Sequence, residues 1–529
     1  MRSSLRMAAA VANVPSYVAC SDLRLERRGI EPTTITTCSS LRRQLMLDHH
    51  GVFAPRLWRR MQRLAVVAAC AAIVQPALQP RALHAQSRAE LDKVLRRKVL
   101  ANGMEIIVVE NHGIPLATLE IDVRNGAFTQ PPEFNGLAHM YEHMFFKANK
   151  DLPDAEAFTD RSAELGAKFN GSTQEERVNY FLTLPADSVE GGLRFLASAL
   201  RTPLFRDDEL AQEKEVVLGE YDRNEAQPGF AFNQRATELL YPGQSSRKNT
   251  IGDRTVLKNV TPSQMRVIQG KYYVPNNSAL IVTGDVYADK IFALAEQVFG
   301  NWLRGADPFV ADPIPPIPPL SGNKALIVEE PINAVAVLIQ WQGPSVRKDP
   351  AATYAADVFS DVLNTPGSTF QKHLVDSGLW QGVGLNYYTL NQVGPISISG
   401  QTTAEKLRPA LAALEKEIAR FTDPTYITTL ELEEVKTSRT VTSAFGIEKA
   451  SEVAHTIGFW WSVANLDYFM GYTDQMAQQR ITDLMRYTSM YVAGKPRVTS
   501  VLLSPEARKG LGLTEAELLT PAQMPRVRP

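Results

Sequence analysis

Beyond Cys70 the chain has no cysteine, and the three it does have, Cys20, Cys38 and Cys70, all fall within the first 85 residues. The remainder therefore has neither a disulfide framework nor a thiolate to offer a metal, and a metal site there has to be built from histidine and carboxylate. Histidine is itself scarce, with eight in 529 residues. Past residue 90 no uninterrupted apolar stretch is long enough to span a bilayer as a helix. Cationic excess is absent too: 56 Lys and Arg stand against 57 Asp and Glu. No basic patch of the kind that binds nucleic acid stands out. What is present, 44% hydrophobic and 21% charged residues, is ordinary globular composition with length for two to four domains.

Charge is unevenly divided. Residues 1–85 hold 12 basic and 4 acidic side chains, which leaves 44 and 53 for the rest. Arg56, Arg59, Arg60 and Arg63 precede an apolar run from Leu64 to Val74, and Ala82-Leu83-His84-Ala85 offers a small-residue cleavage site. A basic segment, a short apolar segment and a terminal alanine describe a secretory signal, so residues 1–85 read as a targeting region and the mature protein as periplasmic. Val67-Ala68-Ala69-Cys70 leaves lipid anchoring at Cys70 open as an alternative. Met46 and Met61 stay open as translation starts.

His139-Met140-Tyr141-Glu142-His143 carries the chemistry. It has the H-x-x-E-H spacing, an inverted zincin motif, inside an apolar run without proline. On a helix, positions i, i+3 and i+4 share a face, so both imidazoles and the carboxylate point the same way. Two neutral imidazoles can hold Zn²⁺, and the carboxylate beside them can take a proton from water. A lone histidine on an apolar helix is usually a packed core residue. Two with a glutamate on one buried face need a positive charge nearby, which a divalent ion supplies. A third ligand is harder to find, because His112, His373 and His455 are scattered singly. Residues 206–224 read as a second helix on which Glu213, Val216, Val217 and Glu220 form one stripe. On composition alone a solvated acidic face fits that stripe better.

His139-x-x-Glu142-His143 with Glu220 77 residues after His143, and Glu213 seven before Glu220, resembles the pitrilysin-like (M16) zinc metallopeptidases of the bacterial processing-peptidase-like (M16B) type. The resemblance implies His139, His143 and Glu220 as ligands of one zinc ion, Glu142 as general base and Glu213 as an outer carboxylate that orients a ligand. Asn170-Gly171-Ser172-Thr173 followed by Asn179-Tyr180-Phe181 looks like the family's edge strand, to which a peptide substrate adds as a further strand. The stretch from Lys271 to Asp285 resembles the end of the family's first domain.

Strands are predicted at 104–110, 117–123, 178–184 and 279–283, with helices near 155–165, 187–201, 206–224, 228–240, 262–273 and 287–300. Strands with helices laid on one side of a sheet predict an α+β sandwich. Proline-rich residues 306–323 read as a stiff linker. A second unit opens with strands at 324–329 and 334–341 and has helices near 350–363 and 403–420. A helix-rich stretch follows at 427–492, and the unit closes on the strand Val498–Leu503. Its ending parallels that of the first, so the fold expected is two homologous α/β sandwich domains in tandem, 86–305 and 324–515, with a tail at 516–529.

The second unit has no H-x-x-E-H. Relatives also carry an Arg and a Tyr that bind substrate near the scissile bond. At the matching place, residues 373–381, Val375 stands where the Arg is expected. The resemblance then implies a homo- or heterodimer in which another M16-like subunit supplies that pair. The expected function is zinc-dependent endopeptidase action on short or unfolded peptides. Two rivals stay open at this stage: a non-catalytic M16 subunit, and a periplasmic peptide-binding or chaperone protein.

Overall fold

A computed structural model describes residues 91–445 and 449–519. The targeting region, the alternative at Cys70 and residues 520–529 lie outside the described residues. In the first unit the strands are β1 (Leu95–Val99), β2 (Glu105–Glu110), β3 (Leu116–Val123), β4 (Lys168–Thr173), β5 (Val178–Pro185) and β6 (Ser278–Gly284). Its helices are α1 (Leu137–Phe145), α2 (Ala155–Glu164), α3 (Val189–Arg201), α4 (Asp207–Glu225), α5 (Pro228–Leu240), α6 (Arg254–Asn259), α7 (Pro262–Tyr272) and α8 (Ala288–Phe299). A single turn, α9 (Pro308–Ala311), opens the proline-rich connection.

The second unit has β7 (Lys324–Glu329), β8 (Val335–Gln342), β9 (Gly382–Tyr387), β10 (Pro395–Thr402) and β11 (Val498–Leu503). Its helices are α10 (Pro350–Asn364), α11 (Leu407–Arg420), α12 (Thr429–Phe445), α13 (Ala450–Val463), α14 (Leu466–Ala477), α15 (Ile481–Tyr491), α16 (Pro505–Leu511) and α17 (Glu515–Leu519).

The two sheets share one topology. The first runs β1-β2-β6-β3-β5-β4 and the second β7-β11-β8-β10-β9. Strand β2 pairs in parallel with the closing strand β6, as β7 does with β11, and the remaining pairs are antiparallel. Apart from the extra β1, the sheets match strand for strand, so the tandem repeat expected from the sequence is present. The reading placed no strand between 364 and 402, yet β9 and β10 lie there. Val383, Leu385 and Tyr387 alternate in β9 and Ile396 and Ile398 in β10, but glycine at 382, 384 and 400 is a poor strand former and weakens the strand signal.

The sheet of the first unit is covered on both faces, where the sequence reading laid helices on one side only. Ile106 and Val108 face a core shared with α1, α3 and α7, while their neighbours Ile107 and Val109 face the other way. There they meet Val453, Ala454, Ile457 and Trp461 of α13, a helix from the second unit. Burial on both faces is why β2 and β6 read as continuous apolar runs rather than alternating ones. The exchange is reciprocal: α5 of the first unit lays Phe232 and Ala236 on Leu326, Val328 and Leu502 of the second sheet. Burying each such large side chain contributes about 1.5–3 kcal/mol.

Candidate metal centre

Helix α1 is buried along its whole length except at His139, which is partly open. Its far side is fixed by aromatic packing: Tyr141 stacks on Tyr273 at 3.5 Å between ring centroids, and Phe145 on Tyr180 at 3.9 Å. With that face locked into the core, His139, Glu142 and His143 turn toward α4 and β4. The two imidazoles stand nearly perpendicular, 88° apart with centroids at 4.8 Å.

Helix α4 brings both of its inward acids to this point. Oε2 of Glu220 lies 3.6 Å from Nε2 of His139 and 3.6 Å from Nε2 of His143. One ligand atom from each of His139, His143 and Glu220 falls within 4.8 Å of the others, the one such group of three among the described residues. Glu213 sits behind them, its Oε2 2.9 Å from Nδ1 of His143 and its Oε1 2.5 Å from Nζ of Lys147. The contact at Nδ1 orients the His143 ring and leaves Nε2 as the atom directed at Glu220. Val216 departs from the predicted stripe. It is 40% exposed, while Glu213, Val217 and Glu220 are buried. The helix turns the stripe far enough to seat the two acids and leaves Val216 on its flank.

The site suits a divalent cation. Oε2 of Glu220 is buried and has no hydrogen-bond partner. It lies against Nε2 of both histidines, and a divalent cation that takes the place of the His143 proton would supply the partner this buried oxygen lacks. Burial pushes His139 down to about 3, helped by the neighbouring His143, so its imidazole is neutral near pH 7. Burial opposes the His143 cation as well, but the carboxylates of Glu213 and Glu220 outweigh it and lift His143 to about 9. Glu142 is raised above the usual carboxylate range by burial.

Glu142 also touches the predicted substrate strand. Thr173 donates to its Oε2 at 2.7 Å. Gly171 faces Glu142 directly, and a Cβ there would come within 3.1 Å of Glu142 Cγ. Among the described residues, strand β4 forms the edge of its sheet, with β5 on one side and no strand on the other. Thus Asn170, Gly171, Ser172 and Thr173 lie on an edge beside the ligand cluster.

The second unit shows what stands at the equivalent place. Helix α10 follows β8 as α1 follows β3, and Asp357, Ser360 and Asp361 repeat the spacing of His139, Glu142 and His143. On α12, the counterpart of α4, the Arg439 guanidinium binds Asp361, with one contact at 3.0 Å, and donates to the Tyr472 hydroxyl at 2.8 Å. Tyr472 in turn donates to Asp357 at 2.7 Å. A fixed side-chain cation therefore sits among two carboxylates. Asp-x-x-Ser-Asp at this point of the repeat was the available signal, and motif reading passed over it. His112, His373 and His455 bond to Asp285, Glu417 and Glu120, and none joins the metal cluster.

Fold and ligand cluster together define a metallopeptidase-type pair of domains. Residues 105–252 match the family model described as insulinase (peptidase family M16), and residues 259–439 match that of the M16 inactive domain. The chain belongs to peptidase family M16. It is 24% identical over 436 residues to the zinc protease PqqE of Helicobacter pylori, covering 80% of this chain and 95% of that one. The crystal structure of a protease from Helicobacter pylori shares its fold with a TM-score of 0.70 at 22% identity, over 77% of this chain and 99% of the other. The periplasmic protease PqqL from Escherichia coli does so with a TM-score of 0.68 at 15% identity, over 82% of this chain and 50% of that one. Among the described residues no helix is long and apolar enough to cross a membrane.

Proposed function

We propose that this chain is a zinc endopeptidase with His139, His143 and Glu220 as ligands and Glu142 as general base. The observation that carries the reading is the placement of Glu142, which lies between the three-ligand cluster and an open sheet edge. A zinc ion held by the cluster would supply Lewis-acid chemistry, drawing electron density from a scissile carbonyl and from water. The chain's own residues do the rest. Glu142 accepts the proton of the attacking water and returns it to the leaving amine. Thr173 occupies Oε2 of Glu142, leaving Oε1 to face the water. Glu213 holds the His143 ring in its ligating orientation.

The peptide adds along β4, with residues 170–173 offering backbone groups. The counterpart edge in the second unit is closed. The Asn364 side chain bonds both the N–H and the carbonyl of Leu385 on β9, at 3.0 and 2.7 Å, and Gln371 bonds the carbonyl of Val383 at 3.0 Å. Amide side chains there take the bonds an incoming strand would need, so one strand site per chain is the consistent reading.

At residues 373–381 the second unit has no Arg with a following Tyr, and Val375 packs against its core. We read the chain as the zinc-bearing member of a processing-peptidase-like (M16B) pair, working with a second M16-like subunit and located in the periplasm. Glu142→Gln is expected to retain zinc and lose cleavage of a quenched peptide by at least about 10³-fold. His143→Ala is expected to lose the metal itself. Full zinc occupancy in His143→Ala would sink the ligand assignment. Turnover of about 1 per second or more by the purified chain alone would remove the need for a partner.

A further inference from the structure

The turn joining β4 to β5 consists of Gln174, Glu175, Glu176 and Arg177. Its backbone is held by the first unit, where Ala127 N–H donates to the Gln174 carbonyl at 3.0 Å and Phe128 N–H to the Glu175 carbonyl at 2.7 Å. Three consecutive side chains cross to the second unit. The Glu175 carboxylate accepts from the Tyr388 hydroxyl at 2.8 Å. Glu176 accepts from two successive backbone N–H groups, Asn391 at 2.6 Å and Gln392 at 3.2 Å. Arg177 donates to the His455 carbonyl of α13 at 3.2 Å. Glu176 and Arg177 are buried.

The crossing is also symmetrical. Residues 388–394 form the turn between β9 and β10, the counterpart of the β4–β5 turn in the matching sheet. The two equivalent hairpins therefore meet tip to tip. Behind Glu176 lies Arg247, 2% exposed, whose Nη1 donates to the Val393 carbonyl at 3.0 Å and whose guanidinium faces the Phe128 and Tyr241 rings. A buried carboxylate that accepts from two main-chain donors is strongly placed, because any of these groups left unpaired in the interior loses its hydration with nothing in return.

We propose that the second unit, in which the described residues form no metal-ligand group, positions the first unit's active site through this clamp, with Glu176 as the main positioning residue. The path is short. Thr173, the last residue of β4, is one residue from the clamped turn, and its hydroxyl bonds Glu142. Fixing the turn fixes the direction of the edge strand, the Thr173 hydroxyl and hence the free oxygen of Glu142. This inference rests on the peptidase reading for its consequence in catalysis, and on the contacts alone for its consequence in strand order.

The experiment compares Glu176→Ala and Glu176→Gln with the unaltered full chain by amide hydrogen exchange, zinc content and peptide cleavage. In Glu176→Ala, exchange in residues 168–173 is expected to rise about tenfold or more while β3 and β6 stay as they were. Zinc content is unchanged, and kcat falls about tenfold. Glu176→Gln, which keeps one acceptor oxygen, recovers most of both. Combining Glu176→Ala with Thr173→Val is expected to cost no more than Thr173→Val alone, since both act through the same bond. Multiplicative losses in the double variant overturn the proposed path. Unchanged exchange at 168–173, or a rise spread evenly over all strands, overturns the clamp. Should Glu176→Ala fail to fold, Tyr388→Phe removes only one hydroxyl from the same contact and is read by the same exchange pattern. An unaltered protein that takes up no zinc would defeat the peptidase reading and leave the exchange result to decide the clamp.

Discussion

Glu213 shows how much of the site depends on a residue that does not reach the metal position. It bonds Nδ1 of His143 and Lys147 together, so its charge fixes the ring orientation of a ligand. Replacing it with glutamine keeps the shape and removes the charge. Zinc affinity in Glu213→Gln is expected to fall about 10–100-fold with Glu220 in place, as measured by competition against a chromogenic chelator. At this scale the sequence was informative. Spacing alone put His139, Glu142 and His143 on one helical face. It did not decide Glu220, because a glutamate-rich helix looks the same whether its acids turn to water or to a metal, and the resemblance to a known family supplied that choice. The structure brings Glu220 to the two histidines and turns Val216 away, a distinction of one helical position that composition does not encode.

Between elements, the contact of α13 with the first sheet rests on a buried ionic group. Glu120 and Asp122 of β3 receive Arg177, and His455 of α13 bonds Glu120. Gly458 lets the helix approach, since a Cβ there would lie 2.3 Å from an Asp122 oxygen. Gly458→Ala must push α13 outward and is expected to lower stability by about 1–3 kcal/mol in a denaturant titration. Burial raises the Asp122 carboxyl to about 7, against the pull of Arg177. Burial also raises Glu120, but His455 and Arg177 outweigh it and hold that group below its ordinary value. A carboxyl raised on folding contributes stability that is full below its unfolded value of about 4 and is lost as pH rises through about 7. Asp122→Asn should therefore flatten the decline in stability as pH rises from about 4 through about 7. Denaturation midpoints that respond to pH as in the unaltered protein would contradict this. Most elements here were legible from periodicity, including the closing strands β6 and β11. Strands β9 and β10 were not, because glycine in these short alternating runs lowers their strand propensity, and no local signal could show that α13 crosses to the other sheet.

For the molecule as a whole, the two units are a repeat that has exchanged helices, each covering a face of the other's sheet. Residues 86–305 expressed alone would expose Ile107, Val109, Ala279 and Ile281, which α13 now buries. That fragment is expected to aggregate or to expose hydrophobic surface by dye binding, and to recover when the second unit is supplied. A monodisperse fragment with native exchange protection in β2 and β6 would show that the cover is dispensable. The repeat itself could be read from the parallel endings of the two halves. Its functional asymmetry is written in single residues, with Asp357, Ser360 and Asp361 where His139, Glu142 and His143 stand, and an arginine among the acids.

The central claim is that two imidazoles and one distant carboxylate hold one zinc ion beside Glu142. X-ray absorption at the zinc edge, on full-length protein of measured metal content, tests it most directly. The account predicts one ion per chain, with two imidazole nitrogens and a carboxylate oxygen at about 2.0–2.2 Å. A chain that takes up no zinc at equilibrium, or a bound ion without two imidazoles around it, would contradict it.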